Sequence, residues 1–530
     1  MTKTKKLGLI SLILMIFTSV FGFTNIPRAF YLMGYGAIPW YIFSAVLFFI
    51  PYAFMMAEYG AAFKDEKGGI YSWMSKSVGP KFAFIGTFMW YTSYIIWMVS
   101  VSSSIWVPFS NLLFGSDTTS SWTIFGLTGS KLLGVLGILL IIVITAVSSR
   151  GLKNISKIAS IGGIFVMCAN VVLLLGGIIV LFGNGFHPAQ ELTLSALTTS
   201  PNASYQSPLG MLGFVVFAIF AYGGLEAVGG LVDQTENASV VFPKAIKIAA
   251  IVIAVGYSLA ILFVGFFTNW NAVLTNPGVN MANVAYVILN NLGVQIGSVF
   301  GMSASASALL GSLFARFIGL SMLLALTGGF FTLIYSPIKQ LIEGTPKEIW
   351  PKKLTKLNKD GMPVIAMWVQ CAIVIIIIAS SAFAGSDGSS FLNDLILMGN
   401  VSMTIPYMFL AIAFIFFKKN TSIEKPFEMY KSKKVGTIWA IIVTCVVGFA
   451  NVFTIIQPAI ESNNYRSTFI QLAGPVIFSI IAIILYMIYE KRYLKNKDIF
   501  VTVDVDVLDT SNMPGTVTPE VGGLNFNELV

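Results

Sequence analysis

Long apolar runs separated by short polar, lysine-bearing segments make up most of this chain. A helix needs about 20 apolar residues to cross hydrocarbon. Runs of that kind fall at 7–33, 38–62, 82–112, 131–149, 158–183, 208–232, 245–268, 298–337, 362–384, 392–417, 435–459 and 467–489. The pattern predicts an all-α polytopic membrane protein with twelve transmembrane helices. The run at 298–337 exceeds one crossing, so a tilted helix or a short leading loop is expected there.

Two runs are flawed in their middles. The first carries Gly22, Thr24, Asn25 and Pro27; the sixth carries Gly223 and Gly224, with Glu226 just after. Glycine weakens a helix interior, and proline removes a donor and clashes one turn back. In hydrocarbon each unpaired backbone group costs several kcal/mol, so a break there needs neighbouring helices, water or a bound solute. Glycine also lets membrane helices pack closely, which is the plainer reading of either run alone. Five runs precede the second flaw, and it enters from the opposite side. If runs 6–10 repeat runs 1–5 in inverted sense, the two breaks correspond, as at a transporter's binding site. The expected organisation is a cytoplasmic segment 1–6, a first five-helix repeat 7–183, a second 208–417, two further helices 435–489, and a cytoplasmic tail 490–530.

Charge orients this picture. Of the 32 Lys and Arg, 28 fall in segments that the twelve-run topology puts on one side; the exceptions are Arg28, Lys131, Arg316 and Arg466. By the positive-inside rule both termini are cytoplasmic. The formal charge of +9 therefore reflects membrane orientation and does not point to a nucleic-acid partner. With 56% hydrophobic residues, 10% charged and a mean hydropathy of +0.82, the composition excludes an ordinary soluble domain. The lysines at 3, 5 and 6 precede a run too long for a signal peptide and lacking its cleavage site. Cys168, Cys371 and Cys445 stand at no ligand spacing, and the one histidine, His187, lies in a loop. No metal site, cofactor or membrane-embedded enzyme is expected.

An ionisable residue at the bilayer centre costs about 2.5–3.5 kcal/mol, so each one needs a reason. Glu226 is either a proton-exchanging gate or an acceptor for backbone groups freed by the break. Arg28 either draws an anionic group into the outer vestibule or reaches the headgroups. Arg316 either binds a substrate carboxylate or serves a structural pair. Glu58 reads as one half of an ion pair with the inner loops. In the third run Tyr91 and Tyr94 share a face, as do Trp90 and Trp97; hydroxyls there are candidate substrate ligands.

The stretches VFGFTNIPRAFYLMG, AEYGAAFKDEKGGIYSW and FAYGGLEAVGGLVDQTENASVVFPKAI, with the later 335–370, resemble the amino acid–polyamine–organocation (APC) transporter superfamily. Within it the branch of bacterial glutamate/GABA antiporters is the most similar, over about residues 5–490. The resemblance implies a 5+5 inverted repeat (the LeuT-like, or APC, fold) with discontinuous helices 1 and 6. It implies alternating access in a bacterial inner membrane, as an amino acid permease working by exchange or proton coupling. An amino acid's carboxylate would meet backbone N–H groups at Val20, Phe21, Gly22 and Phe23. Its ammonium would meet carbonyls at Thr18 and at Phe220, Ala221, Tyr222 and Gly223. The polarity suits helix ends, positive at the N-terminus and negative at the C-terminus. Phe220 falls where relatives carry an aromatic lid, and Glu226 where some carry a proton-linked carboxylate. Many relatives have Gly-Ser-Gly where this chain has Val20-Phe21-Gly22, so the pocket differs in shape. Lysine is missing from the middle of the fifth run, where some proton-coupled relatives place one. A glutamate/GABA-like substrate, a neutral amino acid or amine, and a sensor that binds without transport all stay open. Membrane lipids and protons are the other expected partners, and nothing sets an oligomeric state. A tail that plugs the inner mouth is a further feature of that branch.

Overall fold

A computed structural model describes residues 6–383 and 386–494. In chain order it has α1 (Leu9–Val20), α2 (Asn25–Met33), α3 (Ala37–Ser44), α4 (Ile50–Ala62), α5 (Ile70–Ser77), α6 (Pro80–Ser104) and α7 (Trp106–Phe114). A two-stranded hairpin, β1 (Thr123–Ile124) and β2 (Leu127–Thr128), leads to α8 (Gly129–Ser148), α9 (Leu152–Gly183), α10 (Leu194–Thr198), α11 (Pro208–Phe220) and α12 (Ala238–Phe267). Then come α13 (Trp270–Val273), α14 (Val284–Val299), α15 (Ala304–Gly344), α16 (Val364–Phe383), α17 (Ser386–Lys419), α18 (Lys433–Ser462) and α19 (Tyr465–Tyr489). Residues up to Tyr486 form one compact unit; the other begins at Met487 and its described residues are helical to Leu494. The expected tail plug lies outside the described residues.

Each run expected from the sequence is helical over most of its length. Eleven stretches among the described residues are long and apolar enough to cross a membrane. The first, Leu9–Ala62, is 54 residues long and contains the first two expected runs. Several boundaries differ from expectation. The eighth run extends through Pro337 to Gly344, making α15 41 residues long. The charge-free segment 271–297, which falls between the seventh and eighth runs, holds most of the 16-residue α14. That helix is apolar but shorter than a crossing, and it packs closely on α15, with Gly293 against the backbone of Leu310 and Gly311.

Both flawed runs break. α1 stops at Val20, Phe21 is extended (φ −84°, ψ 92°), and α2 begins at Asn25. Pro27 then lies in the first turn of α2, where its missing N–H breaks no helical bond. In the sixth run α11 stops at Phe220, and Gly224 takes φ +109°. The chain resumes as a 3-10 helix over Leu225–Gln234, ten residues long where runs beyond 3–4 are uncommon. The two breaks touch: a Cβ on Gly224 would fall inside van der Waals distance of the Ser19 carbonyl oxygen. Only glycine tolerates both that approach and that φ.

Side chains of α15 hold the 3-10 stretch. Ser336 Oγ and Gln340 Nε2 donate to the Ala227 carbonyl, the latter at 3.3 Å. Lys339 Nζ donates to the Gly230 carbonyl at 2.9 Å and pairs with Asp233 at 2.6 Å. At its far end Leu7 N–H donates to the Gln234 carbonyl at 2.8 Å, and Glu236 N–H to the Leu7 carbonyl at 2.9 Å. Elsewhere Glu58 of α4 is buried against Lys418 of α17 at 3.0 Å and accepts from Tyr430 N–H at 2.7 Å. This is the ion pair expected of it.

Candidate functional site

Two tyrosine hydroxyls fill the two breaks. Tyr257, in the middle of α12, accepts from Gly22 N–H at 2.9 Å and from Asn25 Nδ2 at 3.4 Å. It donates to the Ala221 carbonyl at 3.1 Å, with the Val20 carbonyl at 3.5 Å. Gly22 N–H also leans on the Val20 carbonyl at 3.1 Å. Tyr407 of α17 accepts from Gly224 N–H at 3.0 Å and donates to Glu226 Oε1 at 3.2 Å. One backbone N–H at each break, with the Ala221 carbonyl, is therefore paired from the unbroken helices α12 and α17, as a low-dielectric setting favours.

Glu226 is wholly buried at the start of the 3-10 stretch. Besides Tyr407, its Oε1 accepts from Trp90 Nε1 at 3.0 Å and Tyr94 hydroxyl at 2.9 Å, both from α6. Its Oε2 has no hydrogen-bond partner among the described residues. Three neutral donors on one oxygen and none on the other leave Oε2 open to a proton or a solute donor.

Aromatic rings wall the first break. Phe21 packs on Tyr257 at 4.5 Å between ring centroids, Tyr41 on Tyr257 at 5.1 Å, and Tyr222 on Tyr257 at 5.2 Å. Tyr41 hydroxyl reaches the Asn25 carbonyl at 3.5 Å, and Tyr222 hydroxyl donates to the Tyr41 carbonyl at 3.3 Å. At the second break the rings of Tyr52 and Tyr407 stand 5.3 Å apart.

The expected site residues divide accordingly. Val20, Phe21, Gly22, Ala221, Tyr222, Gly223 and Glu226 meet around the two hydroxyls. Thr18 ties its own hydroxyl to the Met15 carbonyl at 2.9 Å, while its carbonyl faces Gly329 of α15. Phe23 is buried. Phe220 is half-buried, and its ring has no aromatic partner among the described residues. On α6 it is Trp90, not Tyr91, that joins Tyr94 on Glu226; Trp97 instead packs on Phe330 at 5.5 Å. Arg316 has other employment: its Nη1 donates to the carbonyls of Leu112 and Leu113, capping the C-terminal turn of α7. Arg28 donates Nε to the Met281 carbonyl at 2.8 Å and has no ion-pair partner among the described residues.

Sequence reasoning missed Tyr257 and Tyr407. Each is one of 19 tyrosines, in a run with no break of its own. Their only local signal is a hydroxyl in mid-run. No group of three or more His, Cys, Asp or Glu that could hold a metal occurs among the described residues.

A profile of the amino acid permease family matches residues 7–486 of this chain. A profile of the arginase family matches residues 480–530 alone. The chain is 56% identical to the inner membrane transporter YjeM of Escherichia coli K12 over 492 residues, 93% of this chain and 98% of that one. It is 22% identical to the aspartate/glutamate permease AcaP of Lactococcus lactis subsp. cremoris over 518 residues, 96% of this chain and 99% of that one. It is also 22% identical to a glutamate/gamma-aminobutyrate antiporter of Lactococcus lactis subsp. lactis over 472 residues, 85% and 84% of the two chains. These relatives are transporters, and the arginase match is confined to the chain's last tenth.

Proposed function

The chain belongs to the amino acid permease family, and from that premise we propose how it works. It is a secondary carrier of amino acids across a bacterial inner membrane, operating by alternating access, with both termini in the cytoplasm. Twelve spans include two inverted five-helix repeats, and the broken first and sixth spans form the midplane site. The abutting breaks carry this reading. They bring a backbone N–H of one interrupted helix and carbonyls of two within reach of one small polar group, which is the complement of an amino acid's carboxylate and ammonium.

Transport runs as exchange or is coupled to protons through Glu226. The open Oε2 of that buried carboxyl supports the proton role. The substrate is acidic or GABA-like. This rests on the names of the two Lactococcus relatives and on Arg28, a cation beyond the first break without a carboxylate partner among the described residues. A neutral amino acid is the second reading, supported by the aromatic wall of Phe21, Tyr41 and Tyr222.

Counterflow in proteoliposomes, screened over the common amino acids at acid and neutral pH, tests the reading. Saturable exchange of at least one amino acid is expected. Binding without flux would make the protein a sensor, and neither binding nor flux would end the proposal.

A further inference from the structure

Two of the backbone groups assigned above to an amino acid, Gly22 N–H and the Ala221 carbonyl, are held here by one side chain. Tyr257 is wholly buried, and its phenol ring is clamped between Phe21, Tyr41 and Tyr222. A phenol hydroxyl has one proton to give and two lone pairs to offer. Gly22 N–H and the Asn25 amide take the lone pairs, and the Ala221 carbonyl takes the proton. The accepting half stands where a carboxylate would be held, and the donating half where an ammonium would be held. One atom joins the first break to the sixth-span break across 235 residues of sequence in one direction and 36 in the other.

We propose that Tyr257 is a built-in surrogate for the amino acid, whose hydroxyl seals both breaks when the carrier is unloaded and so lets it return across the membrane without cargo. The proposal rests on the reading that substrate binds at the two breaks. Any alternating-access cycle passes through a form closed on both sides. In that form the freed backbone groups meet no bulk water, and each one left unpaired costs several kcal/mol. A loaded carrier meets this demand with its substrate. An unloaded carrier meets it only if the chain supplies the partner; otherwise it is confined to exchange. Tyr257 supplies it, and Asn25 aims it by donating to the same oxygen from the first turn of α2. The same bonds make the hydroxyl a competitor of the substrate, which must displace it from Gly22 N–H and Ala221 C=O to bind. Net transport is thereby permitted at some loss of affinity. Tyr407 does not duplicate the device, because its hydroxyl serves Gly224 N–H and Glu226 at the second break alone.

The test uses the full-length protein in proteoliposomes, with radiolabelled L-glutamate and L-leucine as acidic and neutral probes. Tyr257→Phe keeps the ring and removes the hydroxyl. Uptake into amino-acid-free vesicles is compared with counterflow into vesicles preloaded with the same probe. The ratio of counterflow to net uptake is expected to rise about tenfold in Tyr257→Phe, the factor that one buried hydrogen bond represents. Asn25→Leu, a milder change, should raise the same ratio about threefold. In parallel, amide hydrogen exchange without added amino acid should quicken about tenfold in peptides covering 19–26 and 220–225 of Tyr257→Phe. Equal loss of net uptake and counterflow, or unchanged amide exchange, overturns the proposal. If the unaltered protein carries neither probe, the transport reading is at fault for those substrates, and amide exchange still decides whether Tyr257 seals the breaks.

Discussion

Replacing Glu226 separates its two candidate roles. Glu226→Gln keeps an oxygen where Oε1 sits, able to accept from Trp90, Tyr94 and Tyr407, but it cannot exchange a proton. Glu226→Ala removes the acceptor from all three donors. A buried donor left unpaired costs about 1–3 kcal/mol. Tyr407 still accepts from Gly224 N–H, so its loss falls at the low end. Trp90 Nε1 has no other acceptor among the described residues and falls at the high end. With about 1–2 kcal/mol more for Tyr94, the total for the alanine variant is about 5 kcal/mol, against less than about 1 kcal/mol for glutamine. For a chain of this length that separates the two melting temperatures by about 4 °C. Thermal unfolding of the purified protein in detergent measures it. An alanine variant that melts together with the glutamine variant would refute the account of Glu226 as the shared acceptor. The proton role is read separately. Glu226→Gln should retain counterflow while its dependence on pH between acid and neutral flattens; a pH profile unchanged from the parent protein removes Glu226 from proton coupling.

Other perturbations follow from the geometry. Lys418→Met leaves the wholly buried Glu58 without its cation, at a cost of about 3–5 kcal/mol. The double variant with Glu58→Gln should recover most of it in the same melting assay, and additive losses would contradict the pairing. Gly224→Ala must place a Cβ against the Ser19 carbonyl at φ +109°, so counterflow should fall more than about tenfold. Gly256→Ala, whose added Cβ would first meet the Phe21 ring at 3.7 Å, should be tolerated, and the reverse ranking would argue against touching breaks. Arg28→Gln removes the cation beyond the first break. The KM for L-glutamate should rise about tenfold while that for L-leucine, if carried, holds, and a parallel change in both would detach Arg28 from substrate choice.

Much of this architecture was legible in the residues. Gly22 with Pro27, and Gly223 with Gly224, marked both breaks because backbone chemistry is local. Glu58 and Glu226 stood out because a charge in an apolar run needs a partner. What fills the breaks was not legible. Tyr257 meets Gly22 from a separate helix, and that meeting is set by how α1, α11 and α12 pack, which no local pattern encodes. Arg316 announced an unusual cation but not that the end of α7 would receive it. The 3-10 winding of Leu225–Gln234 was hidden as well, because its composition is that of any Gly-containing membrane helix. Its cause lies in the donors that Ser336, Lys339 and Gln340 present from α15.

That winding also stores length. A 3-10 helix rises about 2.0 Å per residue and an α-helix 1.5 Å, so the ten residues of Leu225–Gln234 reach about 5 Å farther than they would as α-helix. The surplus is what carries Gln234 to Leu7. Rewinding the stretch would draw its end back by nearly one helical pitch. The cost would be the two backbone bonds at Leu7 and the Lys339 contacts at Gly230 and Asp233. The sixth span can thus part from the N-terminal segment by changing its pitch, with its neighbours left where they stand.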